Sequence, residues 1–143
     1  MEKINYKIST SPPPVYERAV KEFGVDFYGH PISTIFTYGD TIHVASGYLQ
    51  KDVLAHELTH VEQQTTYPGG AAAWWERYFI DEDFRLQQEI EAYRRQYKFV
   101  IATNPNRSFR HEQALFYARC MKDMYSFEDM TVTDFYALIV NKR

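Results

Sequence analysis

The chain has 143 residues, with 45% hydrophobic and 24% charged residues and a formal net charge of −3. That size and balance predict one folded domain over residues 1–143 and exclude disorder as its general state. The charge leaves no basic excess for neutralising phosphates, so nucleic acid is not an expected partner. No apolar run approaches the roughly 18 residues of a membrane span, and no membrane partner is expected.

Residues 2–9 alternate loosely and predict a short strand. Ser11-Pro12-Pro13-Pro14 breaks it and opens a helix carrying Val15, Ala19, Val20 and Phe23, with Gly24 as its stop. Residues 32–46 predict a β-hairpin. Ile32 to Tyr38 is rich in β-branched and aromatic residues, Gly39-Asp40 is a two-residue turn, and Thr41 to Ala45 returns. Asp52 then reads as the N-cap of a helix over about 53–66, with Leu54, Leu58 and Val61 as its apolar stripe. Tyr67-Pro68-Gly69-Gly70 ends that helix, and a second follows from Ala71 to Ile80. A third helix over about 83–102 places Leu86, Ile90, Tyr93, Tyr97 and Ile101 on one side, and Asn104-Pro105-Asn106 stops it. Residues 110–124 and 133–140 predict two more helices. The fold class is α+β, a small N-terminal antiparallel or mixed sheet followed by helices. No signal-peptide pattern opens the sequence, and the single cysteine, Cys120, allows no internal disulfide. The expected location is the cytoplasm, with a virion or an exported-cargo role also compatible.

The sequence His56-Glu57-Leu58-Thr59-His60 is an HExxH motif. Histidines at i and i+4 lie one turn apart on one helix face, so both imidazoles can converge on one Zn²⁺. Glu57 lies about 100° round the helix, where it can take a proton from a metal-activated water without ligating. Chance supplies roughly 0.01 such matches in a chain of this composition.

On this motif, and on the strand before it, the sequence resembles the zincin metallopeptidases. The resemblance covers about residues 30–100. It implies zinc as cofactor, peptide hydrolysis, and a peptide or protein substrate lying extended along residues 41–46. The metzincin pattern is absent, because Gln63 and Thr66 stand at its glycine and third-histidine positions. The inverted HxxEH pattern is absent too. The remaining arrangement is that of gluzincins, whose third ligand is a Glu on a later helix. Glu89 and Glu91 are the candidates. By resemblance Glu91 is favoured, since Ala92 follows it directly and Tyr93, Tyr97 and Val100 stand at +2, +6 and +9. The helical wheel points the other way: Glu91 lies about 140° from Leu86, whereas Glu89 flanks the apolar stripe. His111 is an outside candidate. The size and the stretch His60-Val61-Glu62-Gln63-Gln64 are similar to minigluzincins and to small zincin domains of phage and toxin-associated proteins. Arg95 stands where thermolysin-like members carry the Asp that orients a histidine ligand, which leaves that role unassigned.

Tyr67, Tyr78, Tyr93 and His111 are candidates for stabilising transition-state charge. Trp74-Trp75 reads as a substrate subsite or as core, and Pro68-Gly69-Gly70 as a cleft lip or a turn. His30 and His43 read as structural or solvated, and Cys120 as a buried small hydrophobe. Two further expectations stand beside the peptidase. One is a zincin fold used as a structural or interaction module, such as a phage-particle component, with a structural or vestigial metal. The other is a C-terminal segment, 110–143, that covers the cleft.

Overall fold

The structure, a computed structural model, describes residues 3–29, 33–125, 127 and 129–141. His30 and the first residue of the expected hairpin, Ile32, lie outside the described residues, as do Glu2 of the expected first strand and the last two residues of the C-terminal segment.

The described chain is α+β and mostly helical, with six helices and three strands. They are β1 (Lys7–Ser9), α1 (Tyr16–Phe23), β2 (Phe36–Tyr38), β3 (Thr41–His43), α2 (Lys51–Thr66), α3 (Gly70–Ile80), α4 (Glu82–Thr103), α5 (Arg107–Tyr125) and α6 (Val132–Val140). The expected hairpin forms around Gly39-Asp40, with Gly39 at φ 65°, a backbone region that favours glycine. Gly24, at φ 64°, ends α1 as the sequence predicts, and its N–H bonds the Val20 carbonyl.

The sheet is mixed, in the order β1-β3-β2. β3 pairs in parallel with β1 (Ile42 opposite Ile8) and antiparallel with β2 (Ile42 opposite Thr37). Strand 41–43 is therefore central, and both of its edges are taken. This corrects the expectation that a substrate lies along residues 41–46: the backbone groups of 41–43 already serve the sheet, and the Val44 N–H bonds Ser9.

Several helix starts differ from the sequence reading. α2 begins at Lys51, and its N-cap position is Gln50, so Asp52 is not the cap. Its carboxylate turns inward instead and accepts from Gln96 and Tyr117. Asp81 caps α4 by accepting the Phe84 N–H, and the helix begins at Glu82, one residue earlier than expected. Asn106 does the same for α5, through the Phe109 N–H. Thr131 and Asp134 close a reciprocal capping box on α6.

Two apolar clusters result. One joins Ala19, Phe27, Phe36, Trp74, Tyr78 and Phe84, tying the sheet and α1 to α3. The other joins Ile90, Tyr93, Tyr117, Met121, Phe135 and Ile139, tying α4 to the C-terminal helices. α4 runs through both and also packs along α2. Helices α5 and α6 thus supply Tyr117, Ala118, Met121, Phe135 and Ile139 to the second cluster. Cys120 is half-buried against the second cluster, and burial, then the nearby Asp123 carboxylate, pushes its thiol up to about 11. No described helix is long and apolar enough to cross a membrane.

Candidate metal centre

The buried face of α2 is polar: His56, Glu57, Thr59, His60 and Gln64, joined by Val61. Such a face is stable only if its groups satisfy one another or bind something. They meet a polar stripe on α4, Glu89 and Gln96 with Ala92 between them, while Arg85 one turn earlier bonds the Tyr78 carbonyl instead.

His56, His60 and Glu89 converge, each at most 7% exposed. The two Nε2 atoms are 3.2 Å apart. Glu89 Oε1 is 3.3 Å from His56 Nε2, and Glu89 Oε2 is 3.3 Å from His60 Nε2. Bonds of about 2.0–2.1 Å in a tetrahedral site place neighbouring donor atoms about 3.3–3.4 Å apart, close to the spacing between the two imidazole nitrogens and between each nitrogen and one oxygen of Glu89.

The hydrogen bonds around the rings point to a cation as well. His56 Nδ1 faces Gln96 Oε1 at 3.0 Å, and His60 Nδ1 faces Gln63 Oε1 at 2.8 Å. Each glutamine nitrogen donates onward, Gln96 to Asp52 and Gln63 to Glu91 and the Gln88 carbonyl. The amide oxygens are therefore the ends turned to the rings, and each Nδ1 is a donor. Both Nε2 lone pairs then face each other across Glu89, an assembly of acceptors that needs a proton or a metal ion between them. Without metal a proton takes that place. Burial works against a charged His60, but the Glu89 carboxylate, with smaller help from Glu57 and Gln63, raises it to about 9. Burial opposes the charge of Glu89 in turn, yet His60 and His56 hold its carboxyl well below the usual range. A buried His56, His60 and Glu89 group can thus hold a metal ion.

Glu89, not Glu91, is the acid the structure brings to the histidines. Glu91 is exposed, and its carboxylate accepts from Gln63 Nε2 at 2.8 Å. The apolar stripe of α4 faces the C-terminal helices while its polar stripe faces α2, so a residue flanking the apolar stripe reaches the site and one opposite it does not. The signal for Glu89 was its spacing to two other polar residues, four from Arg85 and seven from Gln96, one face of a helix.

Glu57 stands beside the group rather than in it, with Oε2 3.9 Å from His56 Nε2. Its other oxygen accepts from Thr37 Oγ1 at 2.9 Å. Thr37 is 2% exposed, and its carbonyl accepts from Gln64 and Trp75, so helices α2 and α3 cap β2 at that point. Trp75 is thus core, and so is Trp74, which lies edge-on to His60 and bonds Gln88. The turn at Pro68-Gly69-Gly70 leads into α3, with Gly69 at φ 92° and packed against Ala73.

Of the four candidates for charge stabilisation, two touch the centre. The buried Tyr78 hydroxyl donates to Glu89 Oε2 at 2.6 Å, and Tyr93 lies edge-on to His56 at 4.4 Å between ring centroids. Tyr67 meets Arg77 and Phe84, and His111 meets Tyr136, each away from the histidines. His43 is structural, its Nδ1 2.7 Å from the Ser11 carbonyl. Comparison of the chain with protein-family models, curated proteins and solved structures finds no match.

Proposed function

We propose that the protein is a zinc-dependent metallopeptidase of the zincin type. Its metal ligands are His56, His60 and Glu89, and its general base is Glu57. Two neutral imidazoles and one carboxylate are a donor set that would suit zinc. The observation that carries the reading is the position of Glu57: buried, next to the ligand set, yet not part of it. A purely structural site has no use for that carboxylate.

Zinc, when bound, supplies the Lewis acidity that brings a water's pKa toward about 7 and polarises a carbonyl. Glu57 accepts the water's proton and returns it to the leaving amine. Thr37 holds one Glu57 oxygen, which leaves the other directed to the metal side. Glu89 balances the charge of the ion, with Tyr78 fixing its second oxygen. The substrate class is a peptide or protein.

A second reading, a structural metal in a scaffold module, draws on one observation: the ligand groups and Glu57 are all at most 7% exposed. Glu57→Gln decides between them. It keeps size and polarity but cannot accept a proton at neutral pH. On a mixed peptide library read by mass spectrometry, the peptidase reading expects hydrolysis to fall 10²–10⁴-fold with zinc content unchanged. Equal cleavage by both proteins overturns the mechanism. A zinc-loaded wild type that cleaves nothing favours the scaffold.

A further inference from the structure

Each histidine of the centre is backed by a glutamine rather than directly by a carboxylate, and the two glutamines differ in what holds them. Gln63 ends on Glu91, which is exposed. Gln96 is 5% exposed and ends on the half-buried Asp52, whose Oδ2 accepts at 3.0 Å. The same Asp52 oxygen accepts from the Tyr117 hydroxyl at 2.7 Å. Tyr117 is 1% exposed and belongs to α5, in the cluster built by the C-terminal helices.

A glutamine amide is ambident. Its oxygen can accept from a ring N–H, or, turned over, its NH₂ can donate to a bare ring nitrogen. The two orientations select opposite histidine tautomers, and only the Nδ1–H tautomer leaves Nε2 free for a metal. A carboxylate settles the choice, because it accepts only. Asp52 takes the Gln96 NH₂, so Oε1 must face His56 Nδ1. Tyr117 in turn holds Asp52. The Tyr117 ring also packs on Tyr93, whose ring packs on His56, so the same helix supports the imidazole by a second route.

We propose that Tyr117, Asp52 and Gln96 form a positioning relay that fixes His56 as its Nδ1–H tautomer, so that the C-terminal helices set the metal affinity of the centre. The inference rests on the reading that the centre holds zinc, and not on peptide hydrolysis. These are positioning residues, since none of them touches the ion or a substrate.

The test uses the full chain. Zinc dissociation constants are measured by competition with a chromophoric chelator for wild type, Gln96→Met, Asp52→Asn and Tyr117→Phe, with circular dichroism as the check on folding. The His56 tautomer is read by nitrogen NMR of the zinc-free protein. Wild type is expected to show His56 protonated at Nδ1. Gln96→Met and Asp52→Asn should bind zinc about 10–100-fold more weakly, the usual effect of losing an outer partner of a ligand. Asp52→Asn should also mix the two tautomers, because Asn can present either a donor or an acceptor to Gln96. Tyr117→Phe keeps the ring and loses only the hydroxyl, so it carries the test if the buried polar variants fail to fold, with an expected loss of about tenfold. Folded variants that bind zinc within twofold of wild type, with the tautomer unchanged, overturn the relay. A wild type that binds zinc but cleaves no peptide overturns the peptidase reading alone.

Discussion

Thr37 Oγ1 donates to Glu57 Oε1 at 2.9 Å, which ties the first strand of the hairpin to the acidic residue of the HExxH helix. Neither residue is more than 6% exposed. A buried carboxylate with one oxygen held has a defined direction for the other, and direction is what a general base needs.

Thr37→Val keeps the shape and removes the hydroxyl. The expected result is a fall in kcat on the order of tenfold to a hundredfold, with zinc content intact, as for other partners that orient a functional group. Thr37→Ser should restore most of it. Steady-state kinetics on any peptide the wild type cleaves will separate kcat from KM. An unchanged kcat in the valine variant would remove Thr37 from the mechanism.

The two acids two positions apart on α4 should behave differently. Glu89→Gln removes a ligand and should abolish tight zinc binding. Glu91→Gln weakens only the outer bond to Gln63, and its effect should not exceed about a hundredfold. Chelator competition measures both. A larger loss at Glu91 would restore the assignment favoured by sequence resemblance.

The zinc-free protein should have a characteristic pH profile. His60 is raised from 6.5 to about 9, so its contribution to stability is complete below about pH 6.5 and is lost as pH rises through about 9. Glu89 is lowered from 4.5, so its contribution is present above about pH 4.5 and is lost on acidification. The charged or titratable groups around the pair are Glu57 and His56 on α2 and Tyr78 on α3. Thermal melts of the zinc-free protein should therefore peak between about pH 4.5 and 6.5 and decline toward pH 9. Glu89→Gln should flatten that decline, and an identical slope in the variant would contradict the pairing.

How much was legible in the sequence depends on whether a signal was local. The hairpin turn at Gly39-Asp40, the Gly24 stop and the HExxH spacing are local, and each appears where the residues predict it. Strand order is not local. Nothing in Lys7–Ser9 announces a parallel partner, so the central place of β3, and with it the loss of 41–43 as a free edge, came only from the sheet. At α4 the helical wheel, which sets Glu89 beside the apolar stripe, pointed to the acid that reaches the histidines, whereas the resemblance, through Ala92 and the spacing of Tyr93, Tyr97 and Val100, pointed to Glu91. Asp52 misled by type: a good capping residue, it is used for a part-buried contact across to α4 and α5. Gln63, Gln96 and Thr37 carry no sequence signal by themselves, since an amide or hydroxyl becomes part of a site only through what the fold sets against it.

The most direct test of the account is a zinc titration of the wild-type protein with an X-ray absorption spectrum of the product. The account predicts one zinc per chain, bound by two imidazoles and light oxygen donors at about 2.0–2.1 Å with no sulfur. Absence of zinc binding, or a coordination shell lacking the two imidazoles, would contradict it.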